Sequence, residues 1–554
     1  MLEGRVPTSI SSSRWTCLTA QMDVLQAWFL IPEERGNPDT QIDKLRDPEI
    51  AWTLGNRCEA LIHGATYFRR LYEAISNLNP RDWVHFTDWR GDPDERLAGP
   101  GTEVVEVLAD AAHRGVQVRG LVWRSHPDLT KFSEEENLHL AQQVNAAGGI
   151  VLLDERVRRG GSHHQKLFVI RHMGDEDRDV AFVGGIDLCH SRNDDAEHRG
   201  DPQVYELDRA YGDRPPWHDA QMEVRGPAVN DLSVTFRERW TDPTPIDHRN
   251  PVRRMLMKRA HEPDDPGPLP PLPPDPSPCG THAVQVLRTY PFRKPSYPFA
   301  RNGERSIARA YDKAYGRARR LIYIEDQYLW SGAVARILAE NLRGKPQLRL
   351  IVVVPRFPEK NDRLSGPPNI YGQWQAIETL KEAGGDRAAF YDIENAAGTP
   401  IYIHAKVCVI DDVWAVIGSD NINLRSWTHD SELSCAVIDE QRDGRSPTDP
   451  AGLGDGARVF ARNLRLQLWR EHLGQDSDDN LIDPAEGFLV WRQRASALDE
   501  WHRSGCRGPR PPGQVRVHAP RPLSRLEKLR AAPVYGTVVD PDGRPRSLRK
   551  RNEF

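Results

Sequence analysis

The feature that most constrains the fold is one short pattern that occurs twice, far apart in a chain of 554 residues. Residues 161–170 read GSHHQKLFVI and residues 401–410 read IYIHAKVCVI, so each copy places a histidine, any residue and a lysine before an apolar run. Side chains on a strand alternate between its two faces, and the histidine and lysine of each copy are therefore predicted to share a face. Two such copies predict a chain built from two related halves.

The elements predicted around the two copies follow the same order. Strands alternate with helices from WVHFTDWR to GIVLLD in the first half, and from LIYIEDQYL to AAFYDI in the second. This alternation predicts an α/β fold with two similar α/β/α sandwich domains, each with a mixed β-sheet. If the domains pack about a pseudo-twofold axis, both His-Lys pairs meet at one interface and form a single active site.

A proline-rich stretch, EPDDPGPLPPLPPDPSP, marks the boundary between the halves, because proline disfavours both helix and central strand. The tail is rich in Arg, Pro and Gly and is expected to be poorly ordered. The predicted organisation is a leader segment over 1–45, a first α/β domain over 46–261, a linker over 262–278, a second α/β domain over 279–504 and a C-terminal tail over 505–554.

Composition excludes several classes of protein. The 75 basic and 80 acidic residues give a net charge of -5, which offers no overall field for nucleic acid. The seven cysteines are scattered without a CxxC pair, so neither a disulfide framework nor a zinc site is indicated. No signal-peptide pattern and no apolar stretch of the ~20 residues needed to cross a bilayer is seen. We expect a cytoplasmic monomer without a transmembrane segment.

A small-residue motif follows each His-Lys pair, AFVGGIDL in the first half and WAVIGSDNINL in the second. Small residues let the backbone approach a ligand closely. The aspartate of the first motif is expected to order the glycine turn rather than to touch a substrate. The supporting positions predicted from these motifs are Gly184, Gly185, Asp187, Gly418, Ser419 and Asn421.

Two histidines and two lysines without an acidic cluster suit the cleavage of a phosphodiester. The lysines neutralise the non-bridging oxygens, while one imidazole attacks phosphorus and the other protonates the leaving oxygen. This chemistry requires no metal and no cofactor, and none is expected. Carboxylates must set the two imidazoles apart. The candidates are Glu432 and Asp194, each downstream of the glycine motif of its half.

With these residues the chain resembles the phospholipase D superfamily, which is defined by two HxKxxxxD motifs. The second copy matches the motif in full, with His404, Lys406 and Asp411 at the family spacing. The resemblance implies that these three residues are catalytic. It also implies a supporting acidic residue at the position of Glu432.

The first copy departs from the motif at one position. His164 and Lys166 match, but Arg171 occupies the aspartate position and a charged insertion, RHMGDEDRD, follows the strand. Since this aspartate lies at a strand end, its loss is expected to affect local structure more than chemistry. Either the aspartate is dispensable here or its place is taken by Asp175, Asp177 or Asp179.

Four further stretches narrow the resemblance to the branch that cleaves phosphatidylcholine: HHQK, GGIDLCHSRNDDAEHR, PWHDAQMEVRGPAV and IYIEDQYL. The likeness covers roughly residues 50–475. It implies hydrolysis of the distal phosphodiester of a glycerophospholipid at a membrane surface, by a protein that is peripheral there. The expected intermediate is a phosphohistidine that alcohols can also attack, with His164 as nucleophile and His404 as acid and base. His218 and Asp219 are expected behind these reacting groups.

Three other functions are compatible with part of this pattern. A nuclease of the same superfamily would use the same residues, but the acidic composition gives no sign of a basic cleft. A cardiolipin-synthase-like transferase is disfavoured because no transmembrane segment is predicted. A lipid-binding module with a relic site is disfavoured because both His-Lys pairs are intact.

Overall fold

The computed structural model describes residues 22–125, 134–246, 254–255, 266–359 and 366–554. The leader prediction falls partly on residues 1–21, and the linker prediction partly on 262–265, and both stretches lie outside the described residues. The described part begins with helix α1 over 22–28, followed by the short helix α2, Pro32–Arg35. Single 3₁₀ turns lie at Asp43–Leu45, Glu176–Arg178, Arg209–Tyr211 and Gly385–Arg387.

The described part of the first half forms a mixed sheet with helices on both faces. Its strands lie in the order β1-β8-β6-β5-β2-β3-β4, in which β2, β3 and β4 are parallel and the others antiparallel. The elements are β1 (Thr53–Ile62), α3 (Gly64–Ser76), β2 (Trp83–Asp88), α4 (Val104–His113), β3 (Gln117–Trp123), α5 (Glu134–Ala146), β4 (Ile150–Asp154), β5 (Leu167–Arg171), β6 (Val180–Gly184), β7 (Trp217–His218), β8 (Ala220–Arg225) and α6 (Ala228–Trp240).

The second half repeats this arrangement. Its strands lie in the order β9-β17-β16-β15-β11-β12-β13-β18. The elements are β9 (His282–Tyr290), β10 (Glu304–Arg305), α7 (Ser306–Arg317), β11 (Leu321–Glu325), α8 (Gly332–Gly344), β12 (Arg349–Val353), α9 (Gly366–Gly384), β13 (Ala388–Ile393), β14 (Tyr402–Ile403), β15 (Val407–Ile410), β16 (Trp414–Gly418), α10 (Leu424–Thr428), β17 (Glu432–Asp439), α11 (Val459–Leu473), α12 (Pro484–Arg503), β18 (Val515–Val517), α13 (Arg525–Val534) and α14 (Arg546–Arg551).

The two sheets join edge to edge through β1 and β9, which pair antiparallel with Thr53 opposite Val284. On either side of this seam the strands correspond one to one: β8 to β17, β6 to β16, β5 to β15, and β2 to β11. This correspondence is the expected pseudo-twofold relationship. The predicted fold class, two α/β domains each with a mixed sheet, is confirmed.

Buried apolar residues fill three large clusters, two of which belong mainly to one half each. Helices α3 to α5 cover one face of the first sheet through residues such as Phe68, and helices α7 to α9 cover one face of the second sheet through residues such as Leu338. The third cluster lies on the opposite faces of both sheets and contains Trp240 of the first half and Trp469 of the second. Because this cluster is shared, the halves pack as one body.

The sequence predicted that each histidine and lysine lies on a strand, but the strand begins only after the lysine. β5 begins at Leu167 and β15 at Val407, so each histidine and lysine precedes its strand. In the second half, Tyr402 and Ile403 form the separate strand β14, which pairs in parallel with β7 of the first half. The His-Lys pattern therefore lies where the two halves contact each other.

Arg171, which stands where the family motif has an aspartate, forms a buried ion pair. The buried guanidinium of Arg171 pairs with Asp179, and it also donates to Asn230 Oδ1 at 3.1 Å and to Ser233 Oγ at 3.2 Å. Asp179 Oδ1 in turn accepts the His172 backbone N–H at 2.6 Å. Of the three aspartates proposed as substitutes, Asp179 is the one that orders this turn.

The expectation of a poorly ordered tail is wrong. Strand β18 pairs antiparallel with β13, helix α13 begins with a capping box at Ser524 and Glu527, and a π-helical turn follows at Tyr535–Val539. Tyr535 donates its hydroxyl to the Trp330 carbonyl at 2.7 Å. The tail thus packs on the second half, which its high Arg and Pro content did not indicate.

Within the described ranges, no helix combines the length and apolar character needed to cross a bilayer.

Candidate active site

His164 and His404 line the same cleft between the two halves, which has a volume of about 660 Å³. Each histidine is tied to the other half through its backbone. The His164 N–H donates to the Ser431 carbonyl at 2.9 Å, and the His404 N–H donates to the His218 carbonyl at 2.8 Å. The expectation that both motifs meet at one interface therefore agrees with the geometry.

Each imidazole is held by a carboxylate from the opposite half. His164 Nδ1 lies 2.8 Å from Glu432 Oε2, and His404 Nδ1 lies 2.6 Å from Asp219 Oδ2. Ser419 Oγ donates to the same oxygen of Glu432 at 2.6 Å. Asp219 directly precedes β8 and Glu432 begins β17, so the two carboxylates occupy corresponding positions. With Nδ1 engaged, Nε2 is the nitrogen left for chemistry in the cleft.

Asp194 is not the carboxylate partner of His164 or of His404, contrary to the sequence prediction. It accepts backbone N–H groups from Trp217 at 2.9 Å and from Gly200 at 3.0 Å, and so orders the loop between β6 and β7. The sequence held the signal for Asp219, because it stands directly before the strand that pairs with the glycine strand, as Glu432 does. The longer insertion in the first half concealed this equivalence.

The two lysines lie buried next to the histidines. Lys166 Nζ donates to the His164 carbonyl at 3.0 Å and forms an ion pair of 3.1 Å with Asp187 Oδ1. Lys406 Nζ donates to the His404 carbonyl and lies 3.4 Å from Gln327 Oε1. Asp187 and Gln327 both line the cleft, so each ammonium group lies one contact away from it.

The two glycine motifs bring the backbone close to these groups. A Cβ at Gly185 would lie 2.3 Å from Asp219 Oδ1 and 3.3 Å from Lys406 Cδ. A Cβ at Gly418 would overlap Ser434 Oγ, and Gly184 is similarly crowded by Gln221. Asn421 lines the cleft at the position that corresponds to Asp187. Asp187 also forms the ion pair with Lys166, beyond the turn-ordering role that the sequence suggested.

Comparison with known proteins agrees with this geometry. The model of the family described as Phospholipase D matches residues 94–263 and 377–505, which together make up more than half of the chain and include both His-Lys pairs. The chain belongs to the phospholipase D family.

Relatives in this family match most of the chain at low identity. Phospholipase D alpha 1 of Cynara cardunculus is 25% identical over 78% of this chain and 66% of its own length. Phospholipase D1 of Saccharomyces cerevisiae is 25% identical over 76% of this chain and 29% of its own length. The chain thus spans about two thirds of the plant relative and less than a third of the yeast one.

Among solved structures, the phosphatidylserine synthase of Haemophilus influenzae Rd KW20 superimposes with a TM-score of 0.47 and 14% identity. The superposition covers 69% of this chain and 82% of that one.

In this phospholipase D family member, burial and neighbouring charges shift the pKa values of ionisable groups in and beside the cleft. Burial lowers the pKa of the His404 imidazole well below its usual range, and the charges of Lys406 and Arg192 add to the effect. Burial also lowers the pKa of Lys406 to about 8, although the Asp219 carboxylate opposes it. Burial would raise the pKa of Asp187, but Lys166 and Arg192 together hold it below its usual value. The positive charges packed around His404 oppose its protonation, and an anion bound beside it would offset them.

Asp411, the aspartate of the complete family motif, does not line the cleft. It lies at the far end of β15, where its carboxylate accepts the backbone N–H groups of Arg319, Arg320 and Leu321 at 2.6, 2.8 and 2.7 Å. It therefore fixes the start of β11. These contacts give Asp411 a structural role, in line with the expectation that this position bears on local structure, and its catalytic role stays a prediction.

Aromatic side chains, which no sequence motif indicated, form much of the cleft wall. Trp89 lies 6.1 Å from the His164 ring and Trp217 lies 5.1 Å from the His404 ring, between ring centroids. The Arg192 guanidinium stacks over Trp217 at 4.0 Å. Further wall residues are Arg90, Trp123, Tyr205, Tyr328, Trp330 and Arg425.

His218, which the sequence placed behind the reacting groups, does not line the cleft. Its ring is fully buried, and its Nε2 lies 2.8 Å from Glu325 Oε2. It belongs to a separate set of histidines and glutamates next to the site.

Proposed function

We propose that this protein is a phospholipase D, which hydrolyses the distal phosphodiester of a glycerophospholipid to phosphatidic acid and a free headgroup alcohol. The observation that carries the proposal is the reciprocal pairing of His164 with Glu432 and of His404 with Asp219 inside one cleft. Two imidazoles oriented by carboxylates can serve as a nucleophile and as a proton donor. The names of the relatives support the same substrate class.

In the first step, His164 Nε2 attacks phosphorus and the bond from phosphorus to the headgroup oxygen breaks. The leaving oxygen takes a proton from His404, and the headgroup departs as an alcohol. Lys166 and Lys406 stabilise the charge on the non-bridging oxygens. Burial keeps His404 neutral in the empty cleft, but a bound phosphodiester brings the negative charge that raises its pKa and allows protonation.

In the second step, neutral His404 takes a proton from water, and the water oxygen attacks phosphorus while the bond to His164 breaks. The products are phosphatidic acid and the free histidine. A small alcohol that enters the cleft can replace water, which gives a phosphatidyl-alcohol. Glu432 keeps the His164 ring in one orientation through both steps, because the carboxylate accepts from Nδ1 whether or not Nε2 carries phosphorus.

The cleft wall supports a lipid rather than a nucleic acid. Trp89, Trp217 and Tyr328 offer apolar and π surface, which suits the glycerol backbone and a headgroup such as choline. Glu359 and Asp430 also line the cleft and would repel the neighbouring phosphates of a polynucleotide. A superfamily nuclease therefore stays the second candidate.

The test is headgroup release from phosphatidylcholine vesicles, with a matched assay on single-stranded and double-stranded DNA. We expect choline release by the wild-type protein, none by His164→Ala, and phosphatidyl-butanol in place of part of the phosphatidic acid when butanol is added. Cleavage of DNA without turnover of any phospholipid would decide for the nuclease. Vesicle binding without turnover of either substrate would decide for a lipid-binding module.

A further inference from the structure

A second cluster of ionisable side chains lies buried beside the catalytic cleft, and the proposed reaction does not use it. It consists of His63, His198, His218 and Glu471. Each offers one ligand atom, and these four atoms all lie within 4.8 Å of one another. Three of the residues come from the first half, whereas Glu471 lies on α11 of the second half.

The distances around Glu471 are compatible with coordination of one shared ion, and two of them are also hydrogen-bond distances. Glu471 Oε2 lies 3.0 Å from His63 Nε2, and Glu471 Oε1 lies 3.3 Å from His198 Nε2 and 3.6 Å from His218 Nδ1. Ligand atoms at zinc's usual bond length of about 2.0–2.1 Å lie about 3.3 Å apart in a tetrahedron. The contacts of 3.0, 3.3 and 3.6 Å to Glu471 are close to that spacing, and the other pairs, all within 4.8 Å, would have to close around the ion.

Hydrogen bonds on the far side of two rings orient the inner nitrogens as ligands. His198 Nδ1 lies 3.0 Å from the Trp217 carbonyl, which can only accept, so this nitrogen carries the proton and a neutral ring keeps its lone pair on Nε2. His218 Nε2 lies 2.8 Å from Glu325 Oε2, which places the lone pair of a neutral ring on Nδ1. Histidines that bind metals are typically held in this way by a carbonyl or a carboxylate.

Two further observations indicate that the cluster is incomplete as a hydrogen-bond network. His218 Nδ1 is buried and has no hydrogen-bond partner, because 3.6 Å to Glu471 is too long for one. His63 adopts a left-handed backbone conformation, with φ at 70°, which a non-glycine residue takes up at a cost. A bound cation would use the unpartnered nitrogen and the strained residue together.

We infer that His63, His198, His218 and Glu471 form a structural zinc site that links the two halves of the protein beside the catalytic cleft. Three imidazoles and one carboxylate are a ligand set that Zn²⁺ accepts in tetrahedral geometry. All four positions are filled by protein, so the ion has no open position for a substrate. Its role is to hold residues in place.

The zinc site would act on catalysis through position alone. His218 is followed by Asp219, which holds His404, and the His218 carbonyl accepts the His404 backbone N–H. Glu325, the carboxylate next to His218 Nε2, also contacts His472 Nε2 at 2.7 Å. His472 lies on α11, so this helix contacts the site through a second residue besides Glu471. The ion therefore fixes the strand that carries one partner of the catalytic pair.

The competing arrangement is a network in which protons take the place of the metal. Glu325 and Glu471 would then be balanced by protonated histidines, and the cluster would hold no ion. The two arrangements differ in metal content, which can be measured without any assay of turnover.

The experiment is elemental analysis of the full-length protein, freed of any affinity tag and purified without chelator from cells grown with zinc. We expect about one zinc ion per chain in the wild type and at least a tenfold loss in His63→Gln and in Glu471→Gln. The matched control is His518→Gln. His518 is equally buried and also pairs with a carboxylate, at 3.0 Å from Asp392, but lies outside the cluster, so this variant should keep its zinc.

A second measurement covers the case in which a variant fails to fold. Wild-type protein produced with cobalt in place of zinc should show the intense visible absorption of tetrahedral Co²⁺. The inference is overturned if wild-type protein contains only traces of metal, if the cobalt protein lacks these bands, or if soluble His63→Gln and Glu471→Gln retain full zinc. Metal-free protein that releases choline would leave the proposed function standing, and zinc-loaded protein inert on phospholipids would do the reverse.

Discussion

His404 and Asp219 come from opposite halves of the chain, and their Nδ1 and Oδ2 atoms lie 2.6 Å apart. His164 and Glu432 repeat this relationship in the opposite direction at 2.8 Å. Each half therefore supplies the histidine of one pair and the carboxylate of the other pair. This exchange makes the two pairs separately testable.

The carboxylates should matter for chemistry more than for folding. Asp219→Asn and Glu432→Gln should each lower kcat by about 10²–10⁴, because an amide can hold the ring in the wrong tautomer. The control is Asp194→Asn, at the residue that the sequence favoured as the partner, which should retain most of the activity. Equal losses in all three variants would show that loop order, and not imidazole orientation, limits the rate.

The two histidines should differ in a trapping experiment. With a substrate whose leaving group needs no proton, His404→Ala should accumulate a phosphatidyl adduct on His164, since the base for hydrolysis is missing. His164→Ala should give no adduct. Intact-mass and peptide mass spectrometry measure both. An adduct on His404 in the His164→Ala protein would reverse the two roles.

Activity should fall in alkaline solution as Lys406 loses its proton. Its pKa is lowered to about 8, so the ammonium form that neutralises the phosphate is present below that pH and is lost above it. A profile of kcat/KM against pH should therefore decline above about 8. In Lys406→Arg, whose guanidinium stays charged, the remaining activity should lack this decline. An unchanged alkaline limb in that variant would assign the titration to another group.

Asp411→Ala should destabilise the protein and spare the chemistry. The change leaves one buried and two partly buried N–H groups without their acceptor, at a cost of about 2–4 kcal/mol in the free energy of unfolding. Urea denaturation measures the loss. At a temperature where the variant is folded, kcat should stay within about threefold of the wild type. A loss of kcat without a loss of stability would return Asp411 to the catalytic residues.

Restoring the family residue at the other motif should be harmful. Arg171→Asp would place a second carboxylate beside Asp179 in a buried site and remove the donors to Asn230 and Ser233. We expect a loss of about 3–5 kcal/mol in the free energy of unfolding. The compensating double variant, Arg171→Asp with Asp179→Asn, should recover part of it. Wild-type stability in the single variant would contradict the role given to this ion pair.

The sequence predicted what depends on local pattern. The alternation of strands and helices gave the fold class, and the repeated motif located His164, Lys166, His404 and Lys406. The pairing of His404 with Asp219 was missed, because a longer insertion between the glycine motif of the first half and that aspartate concealed its equivalence to Glu432. The proposed zinc ligands were not predicted from the sequence for a related reason. His63, His198 and Glu471 are far apart in the chain, and their spacing matches no metal-binding motif. The order in the tail comes from packing on β13, which overrides an unfavourable composition.

The exchanged carboxylates also set a condition on how the protein becomes active during synthesis. His164 leaves the ribosome 268 residues before Glu432, the group that orients it, and His404 reaches its partner only when the second half has been made. A nascent or truncated chain that ends before Glu432 therefore carries a histidine, a lysine and half of a cleft, but no oriented nucleophile. Such an unfinished chain is therefore expected to lack the proposed activity.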